Sequence, residues 1–284
     1  MNRGINMDQV IKTVSVIGAG FMGKQIATHI ALYNYNVPIF DVKPESMGEL
    51  MNFITENFRK KERKKILERI NYYDDISEAL KYADLIIETI PEKLELKKKA
   101  FSEIDKLAPP HAIIATNSSS LPVSKIEVEV ERKDKVLNLH FYSLPRTPMV
   151  DIMRGTMTSD ETFKKGLEWI ESIECVPLVV KKECLGFVFN RIWRAVKKEA
   201  LAVWAGEYAD FKDVDHSWQI FTGMDMGPFE LMDRIGLDVV CDIEMSYYNE
   251  SGDPNDKPPK MLKDMVESGD LGKKTGKGFY EWKN

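Results

Sequence analysis

A chain of 284 residues, 43% hydrophobic and 30% charged, has the composition of a globular protein with a heavily charged surface, which sets aside disordered and fibrous classes. Its formal charge of −5 offers no basic field for nucleic acid, and the densest basic run, 59–65, is interrupted by Glu62. No apolar run spans a bilayer, residues 1–9 carry no signal-peptide core, and Cys175, Cys184 and Cys241 form no Cys-x-x-Cys pair, so the expectation is a soluble cytoplasmic protein with free thiols, no metal centre and no membrane contact.

Taken in chain order, the first informative stretch is Val14-Ser15-Val16-Ile17, a β-favouring run that enters Gly18-Ala19-Gly20-Phe21-Met22-Gly23. After it Met22, Ile26 and Ile30, with Ala27 and Ala31, recur at helical spacing. Strand, tight turn and helix follow one another. Gly18 permits the turn, Gly20 leaves room for a pyrophosphate, and Gly23 lets the helix lie close on the strand, while the helix N-terminus faces the phosphates. A second apolar run, Val37–Phe40, ends at Asp41, eighteen residues after Gly23 and near the spacing expected of a ribose-binding acid. A carboxylate there accepts both ribose hydroxyls and repels a 2′-phosphate, so the cofactor expected is NAD rather than NADP. Lys43 is the neighbouring cation that can soften that preference, or a solvated surface charge.

Leu50, Phe53, Ile54 and Phe58 keep a helical period within one long polar helix expected over 44–70. Its basic run 59–65 reads either as a solvated face or as a receiver for the phosphates of a bulky anionic carrier such as coenzyme A. A buried strand over 84–90 then leads into a helix opening at Pro91-Glu92-Lys93-Leu94 and closed by Pro109-Pro110. Strands follow at 112–116, ending in Asn117-Ser118-Ser119-Ser120, at 136–139, ending in His140, and at 149–153, carrying Asp151. The hydroxyl-rich loop can bond a cofactor or substrate, or be ordinary loop chemistry. This alternation predicts a Rossmann-type doubly wound, mostly parallel sheet over residues 1–182, with ligands at its carboxyl edge.

Beyond Val176–Val180 the residues show helical periods and no strand alternation, which predicts an all-α domain over 183–284. Its first helix, expected from Gly186, places Ile192, Val196, Ala200 and Val203 on one face, with Phe187, Trp193 and Trp204 adding bulk. Further helices are expected at 213–221, 229–232, 237–248 and 259–267. A small domain this rich in large apolar groups suits a homodimer.

Of the four histidines, His29, His111, His140 and His216, His140 is the one that ends a strand of the expected sheet with an acid, Asp151, at the matching edge of the next. An imidazole beside a carboxylate suits removal of a hydroxyl proton during hydride transfer; a structurally satisfied histidine is the other reading.

Together these segments resemble the short-chain L-3-hydroxyacyl-CoA dehydrogenases, the group that includes 3-hydroxybutyryl-CoA dehydrogenases. The resemblance rests on the glycine motif, on Glu92 with Lys97, on Thr116-Asn117-Ser118-Ser119-Ser120-Leu121, on His140-Phe141, on Gly186-Phe187-Val188-Phe189-Asn190-Arg191, on Met226-Gly227-Pro228-Phe229-Glu230-Leu231, and on the Gly272 to Tyr280 segment. It implies reversible NAD-linked oxidation of an L-3-hydroxyacyl-CoA, with His140 as base, Asp151 as its partner, and Ser119 and Asn190 on the substrate. It also implies cofactor contacts from Gly18, Gly20, Phe21, Met22, Gly23, Asp41, Glu92, Lys97 and Asn117, an acyl-CoA contact from Lys64, and a dimer through the helical domain. The chain departs from the family where the usual His-Phe-Phe-Asn-Pro becomes His140-Phe141-Tyr142-Ser143-Leu144, where the family glutamate becomes Asp151 on a loop one residue shorter, and where the excursion between Asp41 and Asp84 is shorter. Two alternatives are an oxidoreductase of a free hydroxy acid, of sugar-acid or carnitine type, and a nucleotide-binding structural protein without catalysis.

Overall fold

The computed structural model describes residues 11–184 and 186–283; residues 1–9, read above for a leader, lie outside them. Contacts divide the chain into two compact units, the first ending at Val188 and the second beginning at Phe189. Among the described residues no helix is long and apolar enough to cross a membrane.

The first unit runs β1 (Val14–Ile17), α1 (Phe21–Leu32), β2 (Val37–Phe40), α2 (Ser46–Asn57), α3 (Lys60–Leu67), β3 (Ile70–Tyr73), α4 (Ile76–Leu80), β4 (Leu85–Glu88), α5 (Leu94–Leu107), β5 (Ile113–Thr116), α6 (Val123–Ile126), β6 (Val136–Phe141), β7 (Met149–Arg154), α7 (Asp160–Ser172) and β8 (Val176–Val180). The strands form one sheet in the order β3-β2-β1-β4-β5-β6-β7-β8, parallel throughout except where β7 runs antiparallel to β6. Strands β1, β4, β5 and β6 are buried along their whole length, which is why they read as apolar runs. Alternate side chains feed two cores. Val14, Val16, Leu85, Ile87, Ile113 and Ala115 pack with α1 and α7, whereas Ile17, Ile86 and Ile114 pack with α4, α5 and α6. From β1 the chain winds outward to β3 and then returns to β4 on β1's other side, so a crevice opens at the carboxyl ends of β1 and β4.

The single helix expected over 44–70 is instead two helices followed by an edge strand. Phe58 leaves the helix in an extended conformation because its ring packs against the core and edge-on to Phe53 at 6.1 Å. Glu62 then accepts the Arg59 N–H at 2.8 Å and starts α3 afresh. β3 and α4 escape the sequence pattern because a four-residue edge strand with no buried residue has no apolar alternation to show. Similarly, α5 starts at Leu94, so Pro91, Glu92 and Lys93 form a loop at the end of β4 instead of a helical turn.

The second unit contains α8 (Phe189–Ala205), α9 (Phe211–Thr222), α10 (Pro228–Ile235), α11 (Leu237–Ser251) and α12 (Lys260–Glu267). Its first helix starts three residues later than expected, since Gly186 and Phe187 both have positive φ and cannot begin it. The expected apolar face is also rotated: Ile192 is 60% exposed, while Lys197, Ala200 and Leu201 are buried. Lys197 turns inward because the buried Glu244 of α11 meets its ammonium at 2.9 Å, a partner that hydrophobic periodicity does not register. Phe229, Met232, Leu237, Val240, Leu262 and Phe279 make the core, with Trp204, Phe229 and Phe279 stacked edge to face.

Two buried carboxylates hold this unit together. Asp215 accepts the Phe229 and Glu230 N–H groups at the start of α10 and the Tyr280 hydroxyl. Asp233 accepts the N–H groups of Phe279, Tyr280 and the Trp282 indole. A Cβ at Gly278 would stand 2.2 Å from Asp233 Oδ1, and one at Gly227 would stand 2.3 Å from the Asp215 carboxyl carbon. The two C-terminal motifs are therefore parts of the scaffold.

Candidate functional site

The crevice at the carboxyl edge of the first unit holds about 740 Å³, within the range of ligand pockets. The parallel strands that border it each contribute residues: Ile17 at the end of β1 and Gly18 after it, Asp41 after β2, Thr89 and Glu92 after β4, Asn117 and Ser119 after β5, and His140 in β6. Gly20, Phe21, Met22 and Lys97 complete the set of sequence-predicted residues along its walls.

The glycine turn has the shape its spacing implies. Gly18 has φ +104, and a Cβ on Gly23 would lie 2.0 Å from the Gly18 carbonyl oxygen, so α1 reaches β1 only because Gly23 has no side chain. A Cβ on Gly20 would meet nothing within 4 Å, which leaves open space over the turn. No side chain caps the N-terminus of α1 and no acid lies in its first turn, so its N–H groups and positive dipole end are available to an anion. Asp41 accepts the Ala19 N–H at 2.6 Å on one oxygen and the Lys43 N–H at 2.8 Å on the other, and each oxygen keeps a lone pair for a ribose hydroxyl. Thr89, absent from the sequence expectation, donates its hydroxyl to the Gly18 carbonyl at 2.8 Å and fastens the turn from β4. These residues fit a dinucleotide with an unphosphorylated adenosine ribose.

On the opposite wall Lys97 is buried; its ammonium donates to Glu88 Oε1 at 2.6 Å and to the Ile90 carbonyl at 3.2 Å, and makes an ion pair with Glu92 Oε2 at 3.3 Å. Burial raises the Glu88 carboxyl above the usual range, against the opposing pull of Lys97 and the Thr116 hydroxyl. Burial acts the same way on Glu92, but there Lys97 and the serine loop outweigh it and the carboxyl is lowered. Glu92 Oε1 accepts the Ser118 and Ser120 hydroxyls at 2.5 and 2.8 Å and the Ser119 and Ser120 N–H groups at 3.1 and 3.0 Å. The hydroxyls of the loop after β5 thus turn largely onto Glu92, and through it the loop is tied to Lys97. Asn117 accepts the Phe141 N–H at 2.8 Å and joins the ends of β5 and β6.

His140 and Asp151 are direct partners across the antiparallel pair β6–β7. Their side chains therefore project on the same face, and His140 Nδ1 lies 3.0 Å from Asp151 Oδ2. The shorter reach of an aspartate is met by this register. In the neutral imidazole, a carboxylate at Nδ1 favours the tautomer with the proton on that nitrogen and the lone pair on Nε2. The ring is held between Tyr142, edge-on at 4.7 Å, and Phe187, tilted at 5.2 Å. Phe187 was expected on the first helix of the second domain; it belongs to the first unit, at a positive φ just after Gly186.

The loop that follows His140 is anchored by a residue the sequence did not single out. Gln25, buried on α1, accepts the Leu144 N–H at 2.9 Å and lies 3.3 Å from the Ser143 hydroxyl. Gln25→Ala leaves the buried Leu144 N–H without its acceptor and is expected to cost about 1–3 kcal/mol in urea unfolding; an unchanged midpoint would show that the loop is held otherwise.

Two further predicted residues are Lys64 and Asn190. Lys64 lies on α3 with its side chain 81% exposed, 3.9 Å from Glu68. Asn190 is half-buried in the first turn of α8, in the second unit.

Residues 13–184 match the family described as 3-hydroxyacyl-CoA dehydrogenase, NAD binding domain, and residues 186–282 match 3-hydroxyacyl-CoA dehydrogenase, C-terminal domain. The 3-hydroxybutyryl-CoA dehydrogenase of Clostridioides difficile is 34% identical over 283 residues, covering 95% of this chain and 99% of that protein. The solved structure of (S)-3-hydroxybutyryl-CoA dehydrogenase from Ralstonia eutropha is 30% identical with a TM-score of 0.85, over 96% of this chain and 100% of the other. A diketoreductase structure, described for dual catalysis of dicarbonyl compounds, is 30% identical with a TM-score of 0.87, over 96% and 99%. By sequence and fold alike, this chain belongs to the 3-hydroxyacyl-CoA dehydrogenase family of NAD-dependent oxidoreductases.

Proposed function

We propose that the protein catalyses the reversible oxidation of an L-3-hydroxyacyl-CoA to its 3-ketoacyl-CoA, with His140 as general base. The observation that carries this reading is the His140–Asp151 pair, 3.0 Å apart, on a wall of the crevice whose other end holds the glycine turn and Asp41. His140 Nε2 takes the substrate hydroxyl proton, and Asp151 fixes the tautomer and stabilises the imidazolium that results. Bound NAD supplies the acceptor for the hydride leaving C3. Gly18, Gly20, Phe21, Met22 and Gly23 receive the pyrophosphate and Asp41 the adenosine ribose, while Glu92, Lys97 and Asn117 border the nicotinamide end. Buried and ion-paired with Glu88 and Glu92, Lys97 acts there by holding Glu92 and the loop it anchors. Ser119 and Asn190 hold substrate oxygens, and Lys64 offers an exposed cation to the phosphates of coenzyme A.

The exposed Ile192, Tyr208, Ile220, Phe221 and Met224 of the second unit support a homodimer formed through that unit. The domain boundary proposed on sequence grounds falls between 182 and 183.

A second reading, oxidation or reduction of a free hydroxy or keto compound, is favoured by the likeness to a diketoreductase and by the short excursion between Asp41 and Asp84. One assay separates them. Loss of NADH absorbance is expected with acetoacetyl-CoA at a kcat/KM at least about 100-fold above that for free acetoacetate, a ratio equal to roughly 2.7 kcal/mol of binding to the carrier used in the transition state. Equal rates with free acetoacetate, or turnover confined to sugar acids or carnitine in the oxidative direction, would establish the second reading; inertness toward all of them would leave a structural NAD-binding protein.

A further inference from the structure

Asp151 Oδ2 accepts two donors: His140 Nδ1 at 3.0 Å and the Tyr142 hydroxyl at 2.7 Å. Asp151 Oδ1, equally buried, has no hydrogen-bond partner among the described residues. Tyr142 stands two residues beyond His140, so its side chain rises on the same face of the sheet, and its ring meets the imidazole edge-on at 4.7 Å.

We propose that Tyr142 is a positioning residue that sets the proton affinity of His140 through Asp151. The inference rests on the reading of His140 as proton acceptor. The Tyr142 hydroxyl pins the oxygen that faces the imidazole. The hydrogen bond also draws charge from that oxygen. Two donors share one oxygen, so the imidazolium at Nδ1 meets a carboxylate oxygen whose negative charge is already partly engaged. The effect on His140 is to lower its affinity for a proton, keeping the free base available to the substrate hydroxyl at lower pH. The groups around the imidazole within this unit are Asp151 on β7, Tyr142 after β6 and the uncharged Phe187 ring. The ionic residues that line the crevice with His140 are Asp41, Lys43, Glu49, Glu92, Lys97, Lys99 and Glu103, of which Glu92 and Lys97 are paired with each other at 3.3 Å.

Tyr142→Phe keeps the ring and removes the hydroxyl. In the full-length protein, NMR titration of the His140 imidazole, its resonance assigned by its loss in His140→Gln, is expected to move upward by about half to one pH unit. The acid limb of kcat/KM against pH is expected to move upward with it, while KM for NADH stays unchanged. In the Asp151→Asn background the same substitution produces no shift, because the carboxylate that links the two rings is gone. A role confined to packing lowers the unfolding midpoint without moving either titration. A His140 titration that superposes on that of the unsubstituted protein, or moves downward, overturns the proposal. An active His140→Gln variant overturns the general-base reading instead, and the two failures are distinct because the NMR titration needs no turnover.

Discussion

His140→Gln is expected to lower kcat by about 10²- to 10⁴-fold, the range supplied by a positioned general base, while the protein still binds NADH with an unchanged dissociation constant in a fluorescence titration. Glutamine fills much of the space of the imidazole and can still donate to Asp151, but its amide has no basic lone pair for a hydroxyl proton. The cofactor end of the crevice does not depend on this side chain. The glycine turn is fixed by the Ala19 N–H on Asp41 and by the Thr89 hydroxyl on the Gly18 carbonyl, both remote in the sheet order from β6. Retained turnover would remove His140 from the chemistry. Loss of NADH binding along with turnover would mean that the substitution had reached the fold.

The second large effect is expected at Lys97. Lys97→Met removes the cation from a fully buried carboxylate, Glu88, and leaves Glu92 without its ionic partner. Breaking one side of such a pair typically costs about 3–5 kcal/mol near neutral pH. The loss depends on pH with a definite sign. Burial raises the folded-state value of Glu88 above its ordinary 4.5, so its protonated form is the one the folded protein favours. Stability is therefore retained below about pH 4.5 and lost as pH rises through the raised folded value, and removing Lys97 enlarges that loss. Urea unfolding at pH 5 and pH 8 checks this. The variant is expected to lie nearer the unsubstituted protein at the lower pH, and a deficit independent of pH would mean that Glu88 is not the group left exposed to the change.

Both effects arise where an acidic or basic side chain found its partner on another element, and it is there that local pattern and tertiary structure part company. The position of the glycine turn, the acid after β2 and the order of strands and helices were legible because each depends on a short period or on a φ angle that only glycine adopts readily. The break between α2 and α3 was not. It follows from where the Phe58 ring finds the core, and a helical period continues unbroken through that position in the sequence. The face of α8 was misassigned for a related reason. Lys197 counts as polar until Glu244, on another helix, makes its burial tolerable.

The candidate site divides along the same line. Gly18, Gly20, Gly23 and Asp41 could be read from spacing, since turn geometry and helix packing act over neighbouring residues. Glu92 and Lys97 could be named by resemblance, but only the fold shows that they face each other and hold the loop after β5. Tyr142 could be seen as a departure from a motif, without any indication of what its hydroxyl would touch.

By itself the sequence determined the class of fold and the glycine turn, and it named His140 and Asp151 as a candidate pair, because these are written in local periodicity and residue type. Only the tertiary structure decided that Asp151 lies directly across from His140 and that Gln25, Thr89 and Tyr142 brace the site. The strand register of an antiparallel pair, and the meeting of side chains from distant segments, are set by packing the whole unit and leave no periodic mark along the chain.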